Sequence, residues 1–220
     1  MHKKSVSVRF LERRMQWTLT WQGWAIALFI VLTVGIFTVT HTQSFLALNS
    51  PIPAKILVVE GWLPDYALQQ ALSEFNDGSY QKLVTTGGSL PLGSYLTEYQ
   101  NYATLAAATL QKLGLKSENL VVVPAPQVIK DRTLASAIAL QKWLTDSHTN
   151  VTAIDLFTLD VHARRSWLLF KQALPNIQIG VIATQNLDYD PQQWWRSSAG
   201  VRTVLCEAIA YIYARFLNTA

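Results

Sequence analysis

Asp160, His162, Arg164 and Arg165 crowd into the stretch LFTLDVHARRS, residues 156–166, directly after an apolar run. A strand that ends in ionisable residues and turns into a helix is how open α/β sheets build ligand sites. On a helix starting near Val161, His162 and Arg165 are three apart and share a face, close to backbone N–H groups that favour anions. His162 is a candidate for proton transfer or phosphate contact, because histidine exchanges protons near neutral pH. Arg165 suits bidentate binding of an oxyanion. Arg164, about 100° further round, is expected to face solvent or another element. Asp160 completes the cluster as a candidate ligand-binding residue.

Further chemistry-bearing residues sit at the ends of other apolar runs. Glu60 closes ILVVE and is followed by Gly61 and Trp62; a carboxylate there could hold a ligand hydroxyl or act as a general base. Thr86-Gly87-Gly88-Ser89 follows a second run, and paired glycines let backbone approach a phosphate or carboxylate closely. Arg132 and Thr133 belong to a third junction, where either Asp131 or Thr133 could cap a helix. A loop-edge carboxylate, a tight turn and a solvated charge cluster are the plain alternatives for these three. Trp62 could cover a ligand ring or cap the sheet.

Several chemistries are disfavoured. Neither G-x-x-x-x-G-K-[ST] nor G-x-G-x-x-G is present, so the nucleotide fingerprints are missing, and there is no G-x-S-x-G elbow. The four histidines are scattered and there is one cysteine, Cys206, which is expected to be a buried small hydrophobe. Neither a metal site nor a cofactor is expected. Tyr95, Tyr99 and Tyr102 read as one helix face packed in the core. Trp194-Trp195 could line the site mouth, touch a membrane or form a packed flap.

The elements that must position these residues alternate. Strands are predicted at residues 56–60, 82–86, 120–123, 152–159 and 177–183, with helices at 64–75, 95–113, 133–144, 161–174 and 198–217. Strand, helix, strand at this spacing is the pattern of a parallel sheet covered on both faces. All strand-to-helix junctions then lie on one edge, and Glu60, Gly87, Arg132, His162 and residues 185–189 converge.

The amino end reads differently. Residues 15–54 contain no Asp, Glu, Lys or Arg, and residues 21–40 are WQGWAIALFIVLTVGIFTVT. Twenty helical residues measure about 30 Å, the thickness of a bilayer's hydrocarbon core. An uncleaved signal anchor over 17–41 is therefore expected, after a basic segment at 1–16 and before an extended tether at 42–54 and a domain at 55–220. Lys3, Lys4, Arg9, Arg13 and Arg14 against Glu12 place the amino terminus in the cytoplasm and the domain outside. The net charge of +4 lies wholly in the first 54 residues; residues 55–220 hold 13 basic and 13 acidic side chains. The domain is thus neutral, and nucleic acid is not an expected partner.

The strand ILVVEG, the element LVTTGG, Glu98, the helix start at Thr133 and LFTLDVHARRS together resemble the YdcF/SanA/ElyC-like family over residues 55–217. Departures are Glu60-Gly61-Trp62 after the first strand and Ala135-Ser136 where many members carry a Glu-Asn pair. The resemblance implies an α/β, Rossmann-like three-layer domain with a mainly parallel sheet of about five strands, preceded by one transmembrane helix. It also implies a role in the cell envelope, with members linked to peptidoglycan assembly, polyprenyl-phosphate carriers or barrier function, and one member of similar fold binding S-adenosylmethionine. The combined expectation is a single-pass plasma-membrane protein with a phosphorylated or lipid-linked small ligand. His162 and Glu60 are its candidate catalytic residues; Gly61, Thr86, Gly87, Gly88, Arg132, Thr133, Asp160 and Arg165 are its candidate ligand-binding ones. A non-catalytic module for a small anionic or nucleotide-like ligand is the alternative.

Overall fold

The structure, a computed structural model, describes residues 18–91 and 98–216. The basic amino-terminal segment, Tyr95 and Leu217 lie outside them. Helix α1, Trp21–Leu46, is long and apolar enough to cross a membrane, with a mean hydropathy of 2.2 over its most apolar window. The chain divides into two compact units, one up to Thr38 and one from Val39.

The second unit is an αβα sandwich. Its strands are β1 (Ile56–Glu60), β2 (Lys82–Gly87), β3 (Leu120–Pro124), β4 (Ala153–Leu159) and β5 (Gln178–Thr184). They form one sheet of order β3-β2-β1-β4-β5 in which every pairing is parallel. All five residues of β1 are buried, as expected for a central strand covered on both faces. Alternate residues serve opposite cores. Leu57, Val59, Leu83 and Phe157 pack with α2 (Asp65–Asp77) and α3 (Tyr102–Lys112). Ile56, Val58, Val84, Ile154 and Leu156 pack with α4 (Arg132–Asp146) and α5 (Ala163–Ala173). The connections leaving β1 and β4 go to opposite faces, so a crevice opens between their carboxyl ends. Glu60 ends β1, and the 3-10 turn Asp160–His162 follows β4. The final helix, α6 (Ser198–Phe216), lies across α5 and follows the 3-10 segment Pro191–Arg196.

The expected tether at 42–54 is corrected. α1 stays helical through Leu46, which is buried with Val161, Tyr189, Trp194 and Val204. Gln43 Nε2 donates to Asp160 at 2.7 Å, and Trp194 Nε1 donates to the Val39 carbonyl at 3.0 Å. The chain then pairs Ser50 with Val181 on the free edge of β5, and the Ile52 amide donates to Asp155 Oδ1 at 3.0 Å. Asp155 is buried in β4, and Tyr80 donates to its other oxygen at 2.8 Å. The prolines at 51 and 53 do prevent helix, but a sheet edge and a buried carboxylate both need partners, and this segment's backbone supplies them.

The helix expected over 95–113 begins only at Tyr102, because the Asn101 side chain caps it by accepting from the Thr104 amide at 2.9 Å. Glu98 and Tyr99 precede it, so Tyr99 and Tyr102 do not share a helical face. Trp194 is the buried flap, whereas Trp195 is partly exposed.

Two glycines explain how closely α3 approaches the sheet. A Cβ on Gly61 would lie 2.4 Å from the Tyr102 carbonyl oxygen, and one on Gly87 would lie 2.7 Å from the Tyr102 Cβ. Gly88 has nothing nearer than 3.9 Å. Gly61→Ala is expected to cost about 1–3 kcal/mol through overpacking, and Gly88→Ala to stay within about 0.5 kcal/mol. Thermal unfolding of the full chain in detergent checks the contrast; equal losses would contradict it.

Candidate functional site

β1 and β4 end side by side, and their ends bring Glu60 and His162 together. The Glu60 carboxylate is 2 % exposed. It accepts from Thr158 Oγ1 and from Ser166 Oγ at 3.1 Å, and its Oε2 lies 3.7 Å from His162 Nε2. His162 Nδ1 in turn lies 3.0 Å from Glu207 Oε1 on α6. Arg165 Nε and Nη2 donate to the two oxygens of the same carboxylate at 2.9 and 3.1 Å. His162 and Arg165 therefore do share a face, and what they share on it is Glu207. The Trp62 ring stands edge-on to the imidazole, 4.8 Å between centroids, and so packs against the site histidine.

The protonation states follow from this geometry. Burial opposes charge on His162, but the Glu60 and Glu207 carboxylates outweigh it and raise the imidazole to about 9. Burial alone would raise Glu207; His162 and Arg165 outweigh it and bring it to about 2. For Glu60 the burial penalty is overcome by the His162 charge and by the hydrogen bonds of Thr158 and Ser166, which hold it below its ordinary value. At neutral pH the cluster is thus two carboxylates, an imidazolium and a guanidinium, with no net charge. His162 stands ready as a proton donor rather than a base. Its Nε2 is the buried side-chain nitrogen without a hydrogen-bond acceptor among the described residues.

This cluster forms one wall of a cleft of about 880 Å³. Thr86, Gly87, Gly88 and Ser89 line the sheet end of the cleft, and Lys130, Arg132 and Thr133 line the start of α4. Lys130 and Arg132 are exposed and make no ion pair among the described residues. From α5 and α6, Leu169, Ile209 and Tyr213 add apolar side chains to the lining, and Ile129 stands beside Lys130. Asp131 stands at the cap position of α4 in a left-handed conformation (φ 56°) without a side-chain cap bond, and Thr133 lies inside the helix.

Not every expected residue reaches the cleft. Asp160 has φ of +42°, which turns its carboxylate the other way, to accept from Gln43 Nε2 and the Tyr189 hydroxyl. Burial raises its pKa, against the pull of those two hydrogen bonds. It fastens the end of α1 rather than facing a ligand. Gly61 serves packing, as its contact with Tyr102 shows. Arg164 reaches the other element expected of it: its guanidinium lies 3.9 Å from the Phe45 ring centroid and donates to the Phe45 carbonyl. Cys206, expected in the core, is exposed and lines the cleft, because its side of α6 is not packed against the domain.

Glu207 was not anticipated. Its signal in the sequence is that it is the single carboxylate in the otherwise apolar stretch TVLCEAIAYIY. Thr158 and Ser166 escaped notice for the same reason as most hydroxyls, since their role depends on a carboxylate about 100 residues away in the chain. Among the described residues no three His, Cys, Asp or Glu side chains gather as a metal site. The groups suited to an anionic ligand are the Lys130 and Arg132 side chains and the backbone at Gly88. No protein-family model matches the chain, and no curated protein sequence matches it.

The charge cluster has a pH signature. A raised His162 contributes stability fully below its unfolded value of about 6.5 and loses it as pH rises through about 9. A lowered Glu207 contributes above about 4.5 and loses its share as pH falls through about 2. Between pH 6.5 and 9 the full chain is expected to lose up to about 3 kcal/mol. The Glu60→Gln/His162→Gln double variant, which removes both charges together, should lose much less over that window. Thermal unfolding across pH measures both, and parallel curves would refute the assignment.

Proposed function

We propose that this chain is a membrane-anchored, extracytoplasmic protein of the bacterial envelope whose strand-end cleft binds a phosphorylated ligand with an apolar part, lipid-linked or sugar-linked. The observation that carries the reading is the mixed lining of the cleft. Basic side chains at the start of α4 and open backbone at Gly88 line it together with apolar side chains of α5 and α6, and the protonated His162 belongs to the same lining. Lys130, Arg132 and the backbone of Gly88 hold the phosphate, with Thr86 and Thr133 beside it. The apolar part lies along Ile129, Leu169 and Ile209. Arg165 is committed to Glu207, so it steadies that carboxylate rather than gripping the ligand directly.

In the catalytic form of this reading, water attacks the ligand's phosphorus, the bond from phosphorus to the bridging oxygen breaks, His162 Nε2–H protonates that departing oxygen and regains a proton from the attacking water, and Glu60 holds the imidazolium in place. The envelope theme comes from the motif resemblance to the YdcF/SanA/ElyC-like family. It is supported by a helix able to span a membrane and by the basic residues that precede it. One observation favours the non-catalytic alternative: the four charges of the cluster compensate one another and Nε2 has no exposed surface. In that form the network is a rigid floor and the cleft only binds.

Lipid and sugar extracts of the full chain purified in mild detergent test the ligand. A phosphorylated species enriched over the bulk lipid is expected, falling at least about tenfold in Lys130→Ala/Arg132→Ala. No enrichment, or an unchanged amount in that variant, overturns the reading. His162→Ala separates its two forms, since a binder retains the ligand and complements a strain lacking the gene, and a catalyst does not complement. For topology, a reporter active only outside the cytoplasm, fused after Ala220, is expected to be active; a silent reporter on an expressed fusion would invert the orientation.

A further inference from the structure

The outward side of α6 is apolar and has no partner among the described residues. Leu205, Ile209, Ile212 and Phe216 recur at intervals of four, three and four residues, so they form one stripe, and they are 47 %, 69 %, 54 % and 67 % exposed. A neighbouring side of the helix is occupied. Val204 packs with Leu46, and the Tyr211 ring stands edge-on to Phe45 at 5.5 Å. α6 therefore lies directly against the last turn of α1. Counted from Trp21, the twenty residues that fill a hydrocarbon core end at Thr40, and the folded unit already begins at Val39. α1 is one uninterrupted helix through this point.

We infer that the Leu205–Ile209–Ile212–Phe216 stripe of α6 seats in the headgroup–acyl boundary of the same bilayer that holds α1. Charge chooses this occupant. The one acidic side chain of α6, Glu207, is turned inward to His162 and Arg165, which leaves Arg202 and Arg215 as the exposed charges of the helix. An apolar stripe flanked by arginines matches anionic lipid. It would set like charges against each other if an identical stripe of a second copy covered it. Across the cleft, fully exposed Ile129 stands beside Lys130 and repeats the same pairing of apolar and basic groups. Ile209 and Tyr213 belong both to this side of α6 and to the cleft, so the cleft opens at the lipid surface.

The inference rests on α1 lying in a membrane, and the test keeps the two apart. Cys206 is the only cysteine, so a Cys206→Ser chain accepts single cysteines at Ile212, Phe216, Ile30 in α1 and Lys116 as the aqueous control. Each full-length variant is labelled with bimane and reconstituted in vesicles of phosphatidylcholine with about one third phosphatidylglycerol. Lipids carrying doxyl quenchers then report depth. Quenching at 212 and 216 is expected to exceed that at 116 by about threefold or more, with Ile30 deepest. Quenching at 212 and 216 equal to 116, with 30 still quenched, overturns the seating of α6 and leaves the span. Loss at all three overturns both. Spin labels at 212 that couple to one another overturn it in favour of a second copy. Because all four positions are exposed, their substitution leaves the core intact; a Leu205→Cys label repeats the measurement on the same stripe.

Discussion

A carboxylate buried at the end of the central strand is the constraint that organises this molecule. Glu60 ends β1, which is flanked by β2 and β4, so its charge lies where water does not reach. An ionised group there must be paired and hydrogen-bonded. β4 supplies Thr158, and α5 and the turn before it supply Ser166 and His162. The imidazole, once charged, calls for a second carboxylate, and Glu207 brings α6 across the mouth of the crevice. Arg165 then completes Glu207. The far wall of the cleft is thus a consequence of the charge on β1. Such buried networks add little net stability compared with an apolar core of the same shape; what this one fixes is the position of four elements.

The fold was legible because parallel strands covered on both faces read as continuous apolar runs. ILVVE and LVVV stand out against the helices between them, and all five strands lie within a residue or two of where the sequence places them. Failures occurred where tertiary contacts override local signals. The apolar periodicity from Tyr95 onward reads as helix, but a capping bond from Asn101 decides where α3 starts. The prolines of residues 47–54 announce an extended chain correctly; only the edge of β5 and the buried Asp155 turn that chain from a tether into an additional docked segment.

The site was legible by half. Strand-end position placed Glu60, Thr86, Gly87, Gly88, Arg132, Thr133, His162 and Arg165 around one cleft. Proximity in sequence misled for Asp160, two residues from His162 yet turned the other way by a left-handed backbone. Distance in sequence concealed Glu207, 42 residues beyond Arg165. A cluster of ionisable residues in a motif shows where charge is concentrated. Which charges neutralise each other is settled by packing, and here it leaves Lys130 and Arg132, rather than Arg165, as the cations open to a ligand.

α6 reconciles two demands that would conflict on most elements. Positions two apart on a helix are about 200° apart, so Glu207 and Ile209 point to nearly opposite sides. Glu207 is drawn inward by His162 and Arg165, and Ile209 is forced outward by the same rotation. The pairing that neutralises the interior therefore also determines which residues the helix exposes, and these are Leu205, Ile209, Ile212 and Phe216. A polar residue at Leu205, Ile212 or Phe216 would cost the core little, because these side chains are about half or more exposed. Their apolar character has to be explained by what lies outside the domain, whereas the character of Glu207 is explained within it.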